Sequence, residues 1–211
     1  MDAEALIPVI FAVVMVGIFG GTIVWAIRSA RRTRENMRTL ARELGLSVEE
    51  KPARPIVGAP PPVLRGRFRG REVCIRTYAT GGGQNRTQWV EVSASVEKQS
   101  GLKMRVSRGG LWTKLGRLFG AKRVLVGDDT FDERIYVASA DGDLVRAALI
   151  PEIRERILAV FEKGARGAFI VDGGKVVYKE TGSFACKRIV DVFPMATEVV
   201  CDLCEIAEVC G

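Results

Sequence analysis

The longest apolar run of the chain lies near its start, where residues 6–27 carry no charged side chain. At about 1.5 Å of rise per residue, a helix of this length spans the roughly 30 Å hydrocarbon core of a bilayer. A buried helix of a soluble core is the weaker alternative for so long an uncharged run. The pattern therefore predicts one transmembrane helix over residues 6–27.

Charged residues flank this run unequally. Asp2 and Glu4 precede it, whereas arginines follow it at positions 28, 31, 32, 34 and 38. Because basic residues beside a span stay on the cytosolic side, we expect a short extracytoplasmic N-terminus over 1–5 and a cytosolic domain. A cleaved signal peptide starts with basic residues, so this acidic start is typical of an uncleaved signal anchor.

Two glycines inside the run stand four residues apart, Gly17 and Gly21. This spacing lets two membrane helices approach closely, so it is compatible with a homodimer. Ordinary glycine content of a membrane helix is the alternative.

Helical periodicity continues after the apolar run and then stops at a proline-rich stretch. Apolar residues recur at positions 37, 40, 41 and 44, and Gly45 is a helix stop signal, so a basic juxtamembrane helix is predicted within 28–50. Residues 51–62 hold five of the eight prolines, which is typical of a stiff, extended linker. The soluble domain is predicted over 63–211.

Within that domain, stretches of period two alternate with stretches of helical period. The strands are predicted over 72–78, 87–96, 122–126, 134–138, 168–172 and 175–180. Helices are predicted from Asp141 to Leu149, from Pro151 to Gly164, and as a long C-terminal helix over 186–209 that Pro194 kinks or divides. This mixture predicts an α+β fold, with a mainly antiparallel sheet packed against helices.

Basic residues are concentrated in the quarter of the chain next to the apolar run. Residues 28–71 hold twelve Arg and Lys against four acidic residues, a net charge of +8. That position favours anionic lipid headgroups over nucleic acid as the partner of these charges.

Arginines at 65, 67, 69 and 71 would share one face of an uninterrupted strand, or would be solvated around a hairpin near Arg69 and Gly70. A second region, 98–123, contains no acid, and its amphipathic stretch 111–120 would lie on the membrane or cover the domain's own core.

Few residues are candidates for chemistry. The chain has no histidine, which removes the commonest general base and metal ligand. Cys201 and Cys204 are spaced as in a thiol redox or metal site, although buried cysteines also pack as small apolar residues. The carboxylates of 127–133 lack calcium-loop spacing and are expected to form turns and caps. No catalytic, cofactor or metal residue is therefore predicted.

Several phrases follow one another along the chain in a characteristic order: GRFRGREV from Gly66, VGDDTFDERIYV from Val126, LIPE from Leu149 and FIVDGGKV from Phe169. Together with the N-terminal apolar run, they resemble uncharacterised bacterial membrane-anchored domains in which an acidic phrase precedes a helix and a strand-turn-strand. The resemblance implies an α+β domain at the bacterial inner membrane. It carries no established activity and no site residues.

These observations predict a single-pass membrane protein whose cytosolic α+β domain acts without catalysis. The domain would be a binding or scaffold module near anionic lipid, with a protein partner that the sequence does not identify. The alternative is a thiol redox or metal-binding protein that uses Cys201 and Cys204.

Overall fold

The computed structural model describes residues 3–50, 60–109 and 122–210. Its first element, α1 (Ala3–Leu44), is one continuous helix of 42 residues that contains both the apolar run and the basic stretch after it. The part of α1 that is long and apolar enough to cross a membrane falls within Val14–Leu44, and none of its most apolar window is buried in the protein. Its exposed apolar side chains lack a protein surface to pack on, as expected for a span in lipid.

Among the residues that the structure describes, nine strands form one sheet in which every pairing is antiparallel. Along the chain these are β1 (Ser47–Glu49), β2 (Val63–Phe68), β3 (Arg71–Thr80), β4 (Thr87–Ser95), β5 (Lys103–Arg108), β6 (Lys122–Val124), β7 (Ile135–Ser139), β8 (Ala168–Asp172) and β9 (Lys175–Thr181). Their spatial order is β1-β2-β3-β4-β9-β8-β5-β7-β6. The central pair, β4 and β9, joins strands that are far apart in sequence.

Within the described ranges, four further helices complete the α+β fold that the sequence predicted. They are α2 (Asp129–Arg134), α3 (Gly142–Ala148), α4 (Pro151–Glu162) and α5 (Lys187–Val209). The last of them runs unbroken through Pro194 and buries residues along its whole length against the sheet. A single turn of 3₁₀ helix, Gly83–Asn85, lies between β3 and β4.

One face of the sheet forms the core with these helices. Alternation along the strands directs Ile75, Val92 and Tyr178 into the core, each with no exposed surface. The core aromatic residues contact one another in a chain that includes Phe169, Tyr178 and Phe193, with ring centroids 4.8 and 5.8 Å apart. The opposite face of the sheet carries mostly polar and basic side chains.

The folded unit begins earlier in the chain than residue 63. Met37 and Leu40 of α1 are completely buried in the common core. Within the segment 28–50 the helix ends at Leu44, as the stop signal at Gly45 predicted, because Gly45 adopts a φ of 66° that leaves the helical path. The chain then forms β1, which pairs with β2. Residues 51–59 of the predicted linker lie outside the described residues.

Two parts of the basic region 98–123 had different outcomes. No strand was predicted over 98–121, but β5 lies inside the sheet, between β8 and β7, with Met104 and Val106 buried. Lys103 and Arg105 alternate with these two residues and therefore lie on the opposite face. The amphipathic stretch 111–120 lies outside the part of the chain that the structure describes.

Candidate functional site

The helix that carries the apolar run is also fastened into the domain. The hydroxyls of Thr33 and Ser183 lie 3.1 Å apart, and Asn36 donates through Nδ2 to the carbonyl of Phe184 at 2.6 Å. The next turns of α1 bury Met37 and Leu40. Because these contacts begin within two turns of residue 27, the domain follows the predicted span without a flexible connection.

Contacts along α1 show how the sheet is oriented relative to it. Thr33, near the predicted span, lies beside Ser183, and the adjacent Gly182 donates its N–H to the carbonyl of Gln88 at the start of β4. At the other end, Leu46 packs so closely on Gly66 that a Cβ at Gly66 would be 3.1 Å from the Leu46 side chain. Gly66 lies opposite Val73, which lies opposite Ala94 near the end of β4. β4 therefore runs alongside α1, away from the predicted span.

A cleft of about 300 Å³ lies at the junction between α1 and the start of β4. Its lining combines an aromatic side chain, hydroxyls and a guanidinium, from Trp25, Ala26, Ser29, Ala30, Thr33, Arg34, Pro61, Gln88 and Ser183. Exposed basic residues surround this end of the domain, including Arg28, Arg32, Arg86 and Lys187. The end that faces the predicted membrane is thus positively charged.

A second cleft lies on the open face of the sheet, and we call it the basic trough. It has a volume of about 440 Å³ and is lined by Ser47, Arg65, Gly66, Arg67, Glu72, Val73, Cys74, Arg76, Ser93, Ser95 and Lys175. Register explains its shape: Arg65 lies opposite Cys74, and Cys74 lies opposite Ser93. At these register positions the two middle strands present small side chains and β2 presents a long basic one; Lys175 of β9 and Arg76, farther along β3, add further basic side chains.

The charges of the basic trough are unevenly paired. Arg76 contacts the buried carboxylate of Glu91 at 2.8 Å, and Arg65 contacts Glu49 at 3.3 Å where both side chains are more than half exposed. Exposed pairs of the second kind contribute little because water and salt screen them. Within the described part of the chain, no carboxylate forms an ion pair with Arg67 or Lys175.

The hairpin predicted at Arg69 and Gly70 is confirmed, and it separates the four alternating arginines. Both residues have positive φ, 51° and 80°, which reverses the chain between β2 and β3. Arg65 and Arg67 stay on the open face. Arg69 instead donates to Asp202 of α5 at 2.6 Å, and Arg71 pairs with Glu208. These two were expected to be solvated, but they attach the hairpin to α5.

The two cysteines considered for a thiol site are core residues. Cys201 and Cys204 have no exposed surface, and their thiols point to the carbonyls of Phe68 and Ala94 at 4.0 and 3.8 Å. Burial raises the pKa of Cys201 to about 11 and that of Cys204 to about 12, which disfavours the reactive and metal-binding thiolate. Among the described residues no group of three or more His, Cys, Asp and Glu could hold a metal ion.

The acidic stretch 127–133 performs the cap and turn chemistry predicted for it. Asp128 is the N-cap of α2 and accepts from the N–H of Phe131 at 3.1 Å. Asp132 accepts from the N–H groups of Val126 and Gly127 at 3.1 and 3.0 Å. Its carboxylate is therefore occupied by backbone donors. The stretch contains a short helix, α2, where only a turn was expected.

Glu180 is the centre of a buried ionic cluster that was not predicted from the sequence. The Glu180 side chain has no exposed surface and accepts from the Tyr178 hydroxyl, from Arg188 and from the N–H of Arg166. Burial, with Glu180 adjacent, raises the pKa of Tyr178 well above its ordinary value. The sequence shows no local pattern of polar residues that would predict this cluster, because Glu180 and Arg188 lie on separate elements, β9 and α5. Every polar group of the set has a partner inside the protein, so its role is structural.

The basic trough was also not predicted from the sequence as one group of residues. Its residues come from β2, β3, β4 and β9, and only the pairing of β4 with β9 brings Lys175 next to Ser95. The sequence feature that could have indicated the trough is the alternation of Arg65 and Arg67 with core residues.

The fold is similar to a mycobacterial protein of known crystal structure, the trehalose monomycolate transport factor A, TtfA. The similarity has a TM-score of 0.54, covers 87% of this chain and 96% of that chain, and is accompanied by 14% sequence identity. At this identity the likeness establishes a common fold. No family model and no curated protein sequence matches the chain.

Proposed function

We propose that this protein is a single-pass membrane protein whose α+β domain works on the cytosolic side as a non-catalytic binding or scaffold module at an anionic membrane surface. The continuity of α1 carries this proposal. A helix that spans a bilayer and also supplies Met37 and Leu40 to the core holds the domain at one height and in one orientation. A module that presents a surface to a membrane partner benefits from such a fixed position.

The charge distribution at the membrane end supports contact with anionic lipid. Arg28, Arg31 and Arg32 leave the predicted span on α1, and Lys187 and Arg86 are exposed at the same end of the domain. Each basic residue close to an anionic surface contributes on the order of 1 kcal/mol, within a Debye length of about 8 Å at physiological salt. Trp25 suits the interface between headgroups and hydrocarbon.

The site chemistry favours binding over catalysis. The cavities described above contain no histidine, and the thiols with catalytic spacing are buried and protonated. The similar fold of TtfA, which is named as a transport factor, is consistent with an accessory role for this protein in moving or organising envelope material. In that role the chain would hold a partner rather than transform a substrate.

The position of the domain can be tested on the full chain in vesicles that contain phosphatidylglycerol. α5 has thiols at both ends, exposed Cys186 at its N-cap and half-buried Cys210 at its C-cap. A helix of this length extends for roughly 34 Å. A donor dye on Cys186 should transfer energy strongly to acceptor-labelled headgroups, whereas the same dye on Cys210 should transfer weakly.

Control variants restrict the dye to one cysteine at a time and test the contribution of the arginines. The Cys186 variant carries Cys74→Ser and Cys210→Ser, and the Cys210 variant carries Cys74→Ser and Cys186→Ser. Arg28, Arg31 and Arg32 are changed to Gln together in a third protein, in which the salt dependence of transfer should weaken. Equal transfer from both ends of α5 would refute the fixed arrangement. Specific turnover of a small molecule by the purified full chain would refute a non-catalytic role.

A further inference from the structure

We infer that the basic trough is the docking site for an acidic segment of a protein partner. The inference rests on the proposed function, because it names the partner that a membrane-fixed module would hold. It starts from charge: within the lining of the trough, Arg65, Arg67, Arg76 and Lys175 stand against the single carboxylate of Glu72.

The distribution of contacts leaves part of this charge available to a partner. Arg76 is engaged by Glu91 and therefore acts as a fixed guanidinium at the base of the trough. Glu72 lies opposite Arg67 in the register of β2 and β3, but among the described residues no carboxylate lies within ion-pair distance of Arg67 or Lys175. The guanidinium of Arg67 can bind a carboxylate through paired hydrogen bonds, and the ammonium of Lys175 can attract one as a point charge, so these side chains are suited to Asp and Glu.

The shape of the trough favours an extended segment. Its floor includes the small residues Cys74, Ser93 and Ser95 together with Arg76, and Arg65, Arg67 and Lys175 stand at its sides on β2 and β9. These two strands are three spacings apart, roughly 14 Å at about 4.8 Å per spacing. A chain in extended conformation fits this width with side chains directed to both sides. The cleft is polar and open, unlike the mostly apolar enclosed cavities that bind small molecules.

Distance excludes the anchoring membrane as the source of the negative charge. The trough lies at the level of Leu46 and Gly66, which are in contact beyond the end of α1. The helix rises for roughly 25 Å between residue 27 and Leu44 at about 1.5 Å per residue. That is about three times the Debye length at physiological salt, so headgroup charge is screened at the trough. The partner is therefore a protein that reaches the trough from beyond the lipid surface.

The experiment uses the full chain in nanodiscs of phosphatidylcholine, which has no net charge, so that lipid does not compete. The probe is a fluorescent peptide of about ten residues in which Glu and Ser alternate, long enough to cross the trough at about 3.3 Å per residue. Arg67→Glu with Lys175→Glu should weaken its binding by roughly tenfold or more. Lys122→Glu with Lys163→Glu changes the charge equally at exposed positions that do not line the trough and should change binding by less than about twofold.

Cys74 gives a second readout at the floor of the trough. Bound peptide should slow its reaction with a maleimide, while the reaction of exposed Cys186 at the other end of the domain stays unchanged. This protection does not depend on whether a charge-reversed variant folds well.

Four outcomes would overturn the inference. These are no binding of the peptide, equal weakening in the two double variants, unprotected Cys74, and displacement of the peptide by a single-stranded oligonucleotide or by inorganic phosphate at a comparable concentration. The last would assign the trough to nucleic acid or to a small anion. If the trough does not bind the peptide, energy transfer from Cys186 to the headgroups is unaffected. If the domain is not held at the membrane as proposed, that transfer is lost while peptide binding is unchanged. The two proposals can therefore fail separately.

Discussion

Arg71 and Glu208 form a two-pronged ion pair that joins the first residue of β3 to the last turn of α5. The guanidinium donates through Nη1 to Oε1 at 2.7 Å and through Nη2 to Oε2 at 2.6 Å. Oε1 also accepts from the N–H of Glu97, just after β4. Both side chains are mostly buried, so the pair is far less screened than the exposed pairs of the domain. It stabilises the end of the sheet that lies farthest from the predicted span.

Glu208→Gln should destabilise the protein by about 1–3 kcal/mol at neutral pH, because it removes a charge-assisted pair. Arg71, followed by the N–H of Glu97, lowers the pKa of the Glu208 carboxyl from 4.5 to about 2. A lowered pKa means that the stabilisation is present above about pH 4.5 and is lost as the pH falls towards about 2. Urea unfolding across this range should show a shallower acid loss in Glu208→Gln than in the unchanged protein. Exposed Glu155→Gln is the control, and an equal effect there would contradict the assignment.

Arg188→Met should be more damaging than any exposed substitution. It leaves the Glu180 carboxylate, which has no exposed side-chain surface, without its cation, at a cost of about 3–5 kcal/mol. Adding Glu180→Gln should restore part of this loss, since a neutral amide can still accept from the Tyr178 hydroxyl. The free energies of unfolding of the two single variants and the double variant test this coupling. Arg146→Met, which breaks an exposed pair with Asp143, should cost less than about 1 kcal/mol.

In the native protein at pH 8, Cys201 and Cys204 should resist maleimide while Cys186 reacts rapidly. Burial raises the pKa of the first two thiols to about 11 and about 12, and reaction requires the thiolate. Mass spectrometry of tryptic peptides after brief labelling identifies the modified positions, and denatured protein shows that each position can be labelled. Rapid native labelling of Cys201 or Cys204 would instead support the thiol redox alternative.

A fragment that starts at residue 63 should fail to fold. It lacks β1 and the core residues Met37 and Leu40, whose removal costs several kcal/mol each by analogy with large core truncations. A fragment that starts at Arg31 keeps them and omits the apolar run. We expect a cooperative thermal transition, measured by circular dichroism, for the longer fragment alone. Cooperative unfolding of 63–211 would contradict the role of α1 in the core.

The cytosolic orientation can be checked in whole cells with Cys186, which is exposed at the end of the domain. A membrane-impermeant maleimide should label it only after lysis, because the arginines after the predicted span are expected to stay inside. Cys74→Ser with Cys210→Ser restricts the native signal to this position. Labelling in intact cells would place the domain outside the membrane.

Much of the local structure follows from periodicity, cap residues and turn signals. Asp141 caps α3 by accepting from the N–H of Leu144, and Pro151 opens α4, as their positions predicted. The Asp172-Gly173 turn joins β8 to β9 as expected for its composition. Such features depend on contacts over a few residues, which a sequence displays directly.

β5 was not predicted, because the region around it was described only by its basic residues. Alternate positions of the strand nevertheless bury Met104 and Val106. A strand inside a sheet can carry several charges when one face of the sheet remains open.

By itself, therefore, the sequence determined an uncharged run long enough for a bilayer, a basic stretch beside it, and an α+β domain. Only the tertiary structure decided that α1 is at once the predicted span and a core helix, since burial of Met37 depends on where α5 and the sheet lie. Only the strand order decided that Arg67 and Lys175 border one trough, because the pairing of β4 with β9 is a long-range contact. Local patterns record which face of an element is apolar, whereas the partner that covers that face is selected by packing of the whole chain.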